Sequence, residues 1–226
     1  MTNGSEPPRP LPSLHLGVGG QWIKANVVGG IINVVLAFLV FSFGRLIGVS
    51  EPDASGVLQA FYVVVATAVV TIGMIALGYL MAVVLRTKLP AFPMRGWLAL
   101  YLIFGVIMGL VSSYSWIAPE AKPDEDSYDF DMVVGLMIGG IIAGVVAGAV
   151  LGSVQALVLR SAAQGLGLWI VCCTLAGALF VIVIPIVLYG PQGGFAGELI
   201  IEALTLVITV LAAVILVPAV RRLRPR

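Results

Sequence analysis

The side chains that could do chemistry in this 226-residue chain are few, and they sit at or near the ends of long apolar runs. Arg45 closes the first run. Glu198 and Glu202 open the last one, four residues apart and so on one face of a helix. Gln155 is an amide inside a stretch that otherwise holds small and aliphatic residues. A charge below lipid headgroups is costly and is held by pairing or by reaching back to water. Arg45 is therefore expected to pair with Glu202 or Glu198, which would make the first and last apolar segments neighbours. These four residues are the candidate binding positions. The remaining polar side chains in the runs, among them Asn33, Gln59, Thr67, Thr71, Ser112, Ser113, Thr174, Thr205 and Thr209, read as hydrogen-bonding partners of helix backbones. No ionisable residue falls at the middle of a run, which argues against a carrier that moves protons through buried carboxylates.

Catalytic and metal-binding constellations are absent from the sequence. It contains no Gly-x-Ser-x-Gly, no His-Glu-x-x-His and no Cys-x-x-Cys. The one histidine, His15, precedes the first apolar run, so no histidine cluster can form. Cys172 and Cys173 are adjacent, point in different directions on a helix, and read as buried free thiols. The acidic stretch 124–131 has the charge to attract a hard cation but lacks the glycine at position six and the glutamate at position twelve of a calcium loop. It reads as a solvated loop. Gly17, Val18, Gly19 and Gly20 lack the strand and the lysine of a phosphate loop and read as a flexible approach to the first run. No catalytic residue, metal, cofactor or nucleic-acid partner is expected.

The elements that must carry these residues follow from composition. Apolar residues make up 60% of the chain, charged residues 10%, and the mean hydropathy is +1.12, against ~25% charged in soluble domains. Several uncharged stretches of 20 or more residues in series point to membrane spans. Six are expected, at about 23–48, 57–85, 97–117, 132–159, 168–189 and 199–220. All must be helices, since open strands leave backbone groups unsatisfied in lipid and the alternation of a barrel is missing. The fold class is thus an all-α, polytopic bundle of six transmembrane helices spanning 22–220. A proline-rich tail at 1–21 is expected to be disordered, and 221–226 to form a short basic tail. Pro185 should kink the fifth helix. Trp97 and Trp116 mark the ends of the third span, where interfacial aromatics belong, and Trp169 starts the fifth.

Charge orients the bundle. Ten of the twelve basic residues (Arg9, Lys24, Arg86, Lys88, Arg95, Arg160, Arg221, Arg222, Arg224 and Arg226) fall on one side of this threading, with only Arg45 and Lys122 on the other. By the positive-inside rule both termini are cytoplasmic.

The run 132–159 holds 28 residues without a charge. Within it Gly140, Gly144, Gly148 and Gly152 recur every fourth residue as a glycine zipper, with Gly135, Gly139, Ala143 and Ala147 in a second row beside them. Such rows form a groove that lets another backbone approach. Residues 77–87 also align with 151–161 at an offset of 74, each copy followed by a tryptophan, which is compatible with a parallel duplication.

The close of that run, Gly152-x-x-Gln155-x-x-Val158-Leu159-Arg160, resembles a pattern in uncharacterised bacterial multi-pass membrane proteins. The resemblance covers the string from Gly148 to Arg160. It implies a bacterial cytoplasmic (inner) membrane and brings no activity with it. Functionally the sequence fits a non-enzymatic scaffold, assembly or accessory subunit that contacts lipid and packs with other membrane subunits or with itself. A small-solute transporter or channel is the alternative, and an intramembrane enzyme comes third.

Overall fold

The computed structural model describes residues 17–49, 51, 54–117, 130–179 and 195–226. Among them are six helices: α1 (Val18–Leu46), α2 (Gly56–Lys88), α3 (Met94–Ile117), α4 (Phe130–Leu159), α5 (Leu166–Ala178) and α6 (Phe195–Arg222). Two strands of two residues each, β1 (Ala163–Gln164) and β2 (Arg224–Pro225), pair antiparallel. Helices α1, α2, α3, α4 and α6 are long and apolar enough to cross a membrane, whereas the described part of α5 has 13 residues. The chain is an all-helical, multi-pass, integral membrane protein. The second half of the expected fifth span, with Pro185, lies outside the described residues, as do most of the proline-rich tail and residues 124–129 of the acidic loop.

Local chemistry sets the helix ends. Ser55 caps α2 by accepting from the Leu58 amide at 3.3 Å. Leu89 and Pro90 stop α2, and α3 starts directly after Pro93. Gly48 follows α1 with φ +67° and Gly165 precedes α5 with φ +81°, left-handed conformations that a side chain would strain.

Three expectations are corrected. Helix α1 begins at Val18, not at 23, so Gly19 and Gly20 are helical rather than a flexible approach. The reason is tertiary: a Cβ on Gly19 would lie 3.0 Å from Val217 Cγ1 and from Arg221 Nε, so its absence lets α6 close against α1. That contact outweighs the ~1 kcal/mol that glycine costs a helix. The last span ends at Arg222, not at 220, and the basic residues that follow it are paired. Helix α6 runs through Pro218 to Arg222, and the residues after it pair with the α4–α5 link, Ala163 opposite Pro225 and Gln164 opposite Arg224. Finally, Trp97 does not face the interface, and Trp169 is buried beside it. With Trp22 they are fully buried in the main core.

Neighbours in the bundle run α3–α2–α1–α6–α5–α4, and α3 meets α4 only sparsely. Small residues sit at each intimate contact. A Cβ on Gly105 would lie 2.8 Å from Thr71 Cα, and one on Gly109 2.7 Å from Thr67 Cα, joining α3 to α2. Asn33 of α1 donates to the Gly73 carbonyl of α2 at 3.2 Å. Gly30 faces Leu206 where α1 passes α6. The start of α1, α3 and α5 and the end of α2, α4 and α6 lie at one end of the bundle, and Arg86, Lys88, Arg95, Arg160, Arg221, Arg222, Arg224 and Arg226 gather there. This basic end is tied down. Lys88 Nζ donates to the Val220 carbonyl at 3.0 Å, to Leu223 at 3.3 Å and to Arg221, satisfying carbonyls at the α6 C-terminus. Arg226 Nη1 donates to the Arg160 carbonyl at 2.8 Å.

Candidate functional site

The glycine row of α4 is a seam. A Cβ on Gly144 would strike the Gly177 carbonyl oxygen of α5, and one on Gly148 the Cys173 carbonyl. One on Gly152 would lie 2.6 Å from Cys173 Cβ, and Gly177 in turn faces Gly144 and Gly148. The two backbones are in direct contact, which permits dispersion contacts along their length where lipid offers no hydrophobic drive. Gly140, at the other end of the row, is half-buried. The second row behaves differently. Gly135 and Gly139 would present a Cβ to nothing within 4 Å, and Ala143 and Ala147 are exposed. Both rows have the same spacing, yet only one meets a described neighbour.

The seam leads to Gln155, which is 5% exposed and bonded at both ends of its amide. Its Oε1 accepts from Trp169 Nε1 at 3.0 Å and from the Cys173 thiol at 3.6 Å. Its Nε2 donates to the Tyr101 hydroxyl at 3.4 Å, and that hydroxyl donates to Met81 Sδ at 3.0 Å. Side chains of α2, α3, α4 and α5 thus meet around one amide. Trp97 adds a second link, donating from Nε1 to the Gly78 carbonyl at 3.0 Å. The indoles pack edge to face, Trp97 with Trp169 at 6.1 Å and Trp22 with Trp169 at 5.7 Å. Trp22 Nε1 is buried without an acceptor among the described residues. Cys172 and Cys173 are buried free thiols. A buried amide with both ends used holds helices together.

The structure does not gather the four candidate positions. Gln155 lies toward the basic end, while Arg45 is exposed in the last turn of α1 and Glu202 sits toward the start of α6, at the other end. Glu202 is 8% exposed and lies seven residues, about 10 Å, inside α6. Glu198 is on the same helix. Helices α1 and α6 run antiparallel and side by side, so the end of α1 and the start of α6 share that end of the bundle. Pairing of Arg45 with Glu202 or Glu198 is proposed on that placement. Arg45→Ala and Glu202→Ala are each expected to lower the melting temperature in detergent, and the double variant to lose less than their sum. Strictly additive losses would exclude the pair.

Sequence reading missed the tryptophan core, Tyr101 and the Lys88 clamp. A usable signal was present for two of the tryptophans, since Trp97 and Trp169 each follow one copy of the aligned segment. Comparison with protein-family models, with curated proteins and with solved structures finds no match for this chain. The functional reading therefore rests on its own residues.

Proposed function

We propose that the protein is a non-enzymatic scaffold, assembly or accessory subunit of a bacterial cytoplasmic membrane, with six spans and both termini on the cytoplasmic side. The observation that carries this reading is the second small-residue row of α4. Gly135, Gly139, Ala143 and Ala147 offer a helix groove of the kind used between membrane helices, and no described part of the chain fills it. The first row, on the same helix, illustrates what such a groove accepts. The partner is another membrane subunit or a second copy.

Two measurements test the proposal. Single cysteines at Ser127 and Gln192, in a background lacking Cys172 and Cys173, should react with an impermeant thiol reagent from outside the cell, and one at Ser161 should not. The reverse pattern overturns the orientation. Purification in mild detergent should bring down a stoichiometric partner or a dimer, and Gly139→Leu should abolish that association while leaving the melting temperature unchanged. A monomer with the same behaviour in wild type and variant counts against the subunit reading.

One observation favours the alternative of a small-solute transporter or channel. Helices α3 and α4 meet sparsely, and both carry rows of exposed apolar residues, so the ring is weakest there. Uptake or conductance in liposomes holding the purified protein alone would support it.

A further inference from the structure

A cavity of about 740 Å³ opens at the basic end, between the end of α6 and the start of α5. One wall carries Arg221, Arg222 and Arg224. The other is the turn formed by Gln164, Gly165, Gly167 and Leu168. Among the described residues the lining holds three arginines and no acidic residue, and the Arg221 guanidinium also lies against Gly19 of α1. Three arginines around one opening repel each other unless an anion joins them. Guanidinium groups bind phosphate oxygens in a planar, two-pronged fashion that suits such a group better than a halide.

The rest of the wall is suited to the same ligand. Gly165, at the N-cap of α5, contributes no side-chain cap, and the first turn holds no acidic residue. No described side chain caps the amides that begin α5, which lie at the positive end of the helix dipole. Gly167 projects no side chain into the opening, and one placed there would meet nothing within 4 Å.

The cavity is held in shape on both sides. The β1–β2 pairing ties Gln164 to Arg224 across it. Lys88 fixes the last carbonyls of α6, and Arg221 lies against Gly19 of α1. Its position, at the ends of membrane helices where the basic residues collect, is the level at which phospholipid headgroups sit.

We propose that this cavity binds a phosphate-bearing group. The phosphate belongs either to an anionic phospholipid of the adjoining leaflet or to a soluble phosphorylated molecule. The site is separate from the α4 groove on which the subunit reading rests, so either can fail alone.

The test uses the purified full-length chain in a neutral detergent and a phosphate-free buffer, followed by melting temperature. Phosphatidylglycerol and inorganic phosphate are titrated separately, against phosphatidylcholine and against chloride at matched ionic strength. A rise with phosphatidylglycerol alone assigns the cavity to lipid. A rise with inorganic phosphate as well assigns it to a soluble ligand. Arg222→Gln combined with Arg224→Gln should weaken the response at least about tenfold in apparent affinity, while Arg86→Gln with Arg95→Gln, at the same end but outside the cavity, should leave it intact. Should the first pair fail to fold, Gly167→Asp serves instead. It places the protein's own carboxylate in the first turn of α5, where it favours the helix and competes with the anion. No response to either probe, an equal response to chloride, or a full response in the Arg222/Arg224 or Gly167 variants would overturn the proposal.

Discussion

Gly148→Leu separates α4 from α5 and lowers stability by about 3 kcal/mol or more, near the upper range for overpacked cores. For a chain of this size that corresponds to a fall of roughly 6–12 °C in melting temperature. The magnitude follows from what the new side chain meets. A Cβ at Gly148 faces the Cys173 carbonyl and lies 3.1 Å from Gly177 Cα, so backbone and not a flexible side chain must give way. Gly144→Leu meets the Gly177 carbonyl and should behave alike. Gly135→Leu and Gly139→Leu are the matched controls on the same helix. They meet nothing within 4 Å and should stay within about 0.5 kcal/mol of wild type. Thermal melts of the four variants in one detergent decide the matter. Equal melting for all four would mean that the glycines are merely common in membrane helices and that the seam carries no weight.

The second large effect is at Trp169. Trp169→Ala removes a fully buried indole and leaves Gln155 Oε1 short of its strongest donor, and the expected loss is about 3–5 kcal/mol. Trp169→Phe separates the two contributions by keeping an aromatic ring and deleting the N–H. It should cost about 1–3 kcal/mol, the range for leaving a buried polar atom unpaired. Gln155→Leu removes the acceptor instead. Combined with Trp169→Phe it should cost less than the two single changes added, since each deletes the same hydrogen bond. Additive losses would show that the amide and the indole do not act as a unit.

Much of the fold was legible in the sequence because lipid imposes a simple rule of length and polarity. The helices α1, α2, α3, α4 and α6 follow from uncharged runs, and their ends lie within a few residues of the expected ones. The seam was half legible. The spacing of Gly144, Gly148 and Gly152 marked a groove, but the row of Gly135 and Gly139 carried the same mark and has no described neighbour. In water the polar face of a helix reveals which side is buried. In lipid both sides are apolar, so periodicity cannot say which row meets a helix and which meets acyl chains. The tryptophans failed for a related reason. An indole at a span end fits an interfacial belt and a buried cluster equally well from sequence. What decides for Trp169 is Gln155, 14 residues away on another helix. The pairing of Gln164 with Arg224 was beyond reach, because strands of two residues leave no pattern and their register is set by the helices that deliver them.

The neighbour order has a consequence for biosynthesis. Helices α3, α2 and α1 adjoin in sequence and can assemble as they leave the ribosome, as can α4 and α5. Helix α6 packs against both α1 and α5 and so joins the two groups. Its partner α1 is made about 150 residues earlier. At 5–20 residues per second that is an interval of roughly 7–30 s. The side of α1 bearing Gly19 and Gly30 can be covered by α6 only after that interval. Helix α6 is therefore the last element able to join the two groups. Lesions in α6 should accordingly appear as halves that insert but never dock.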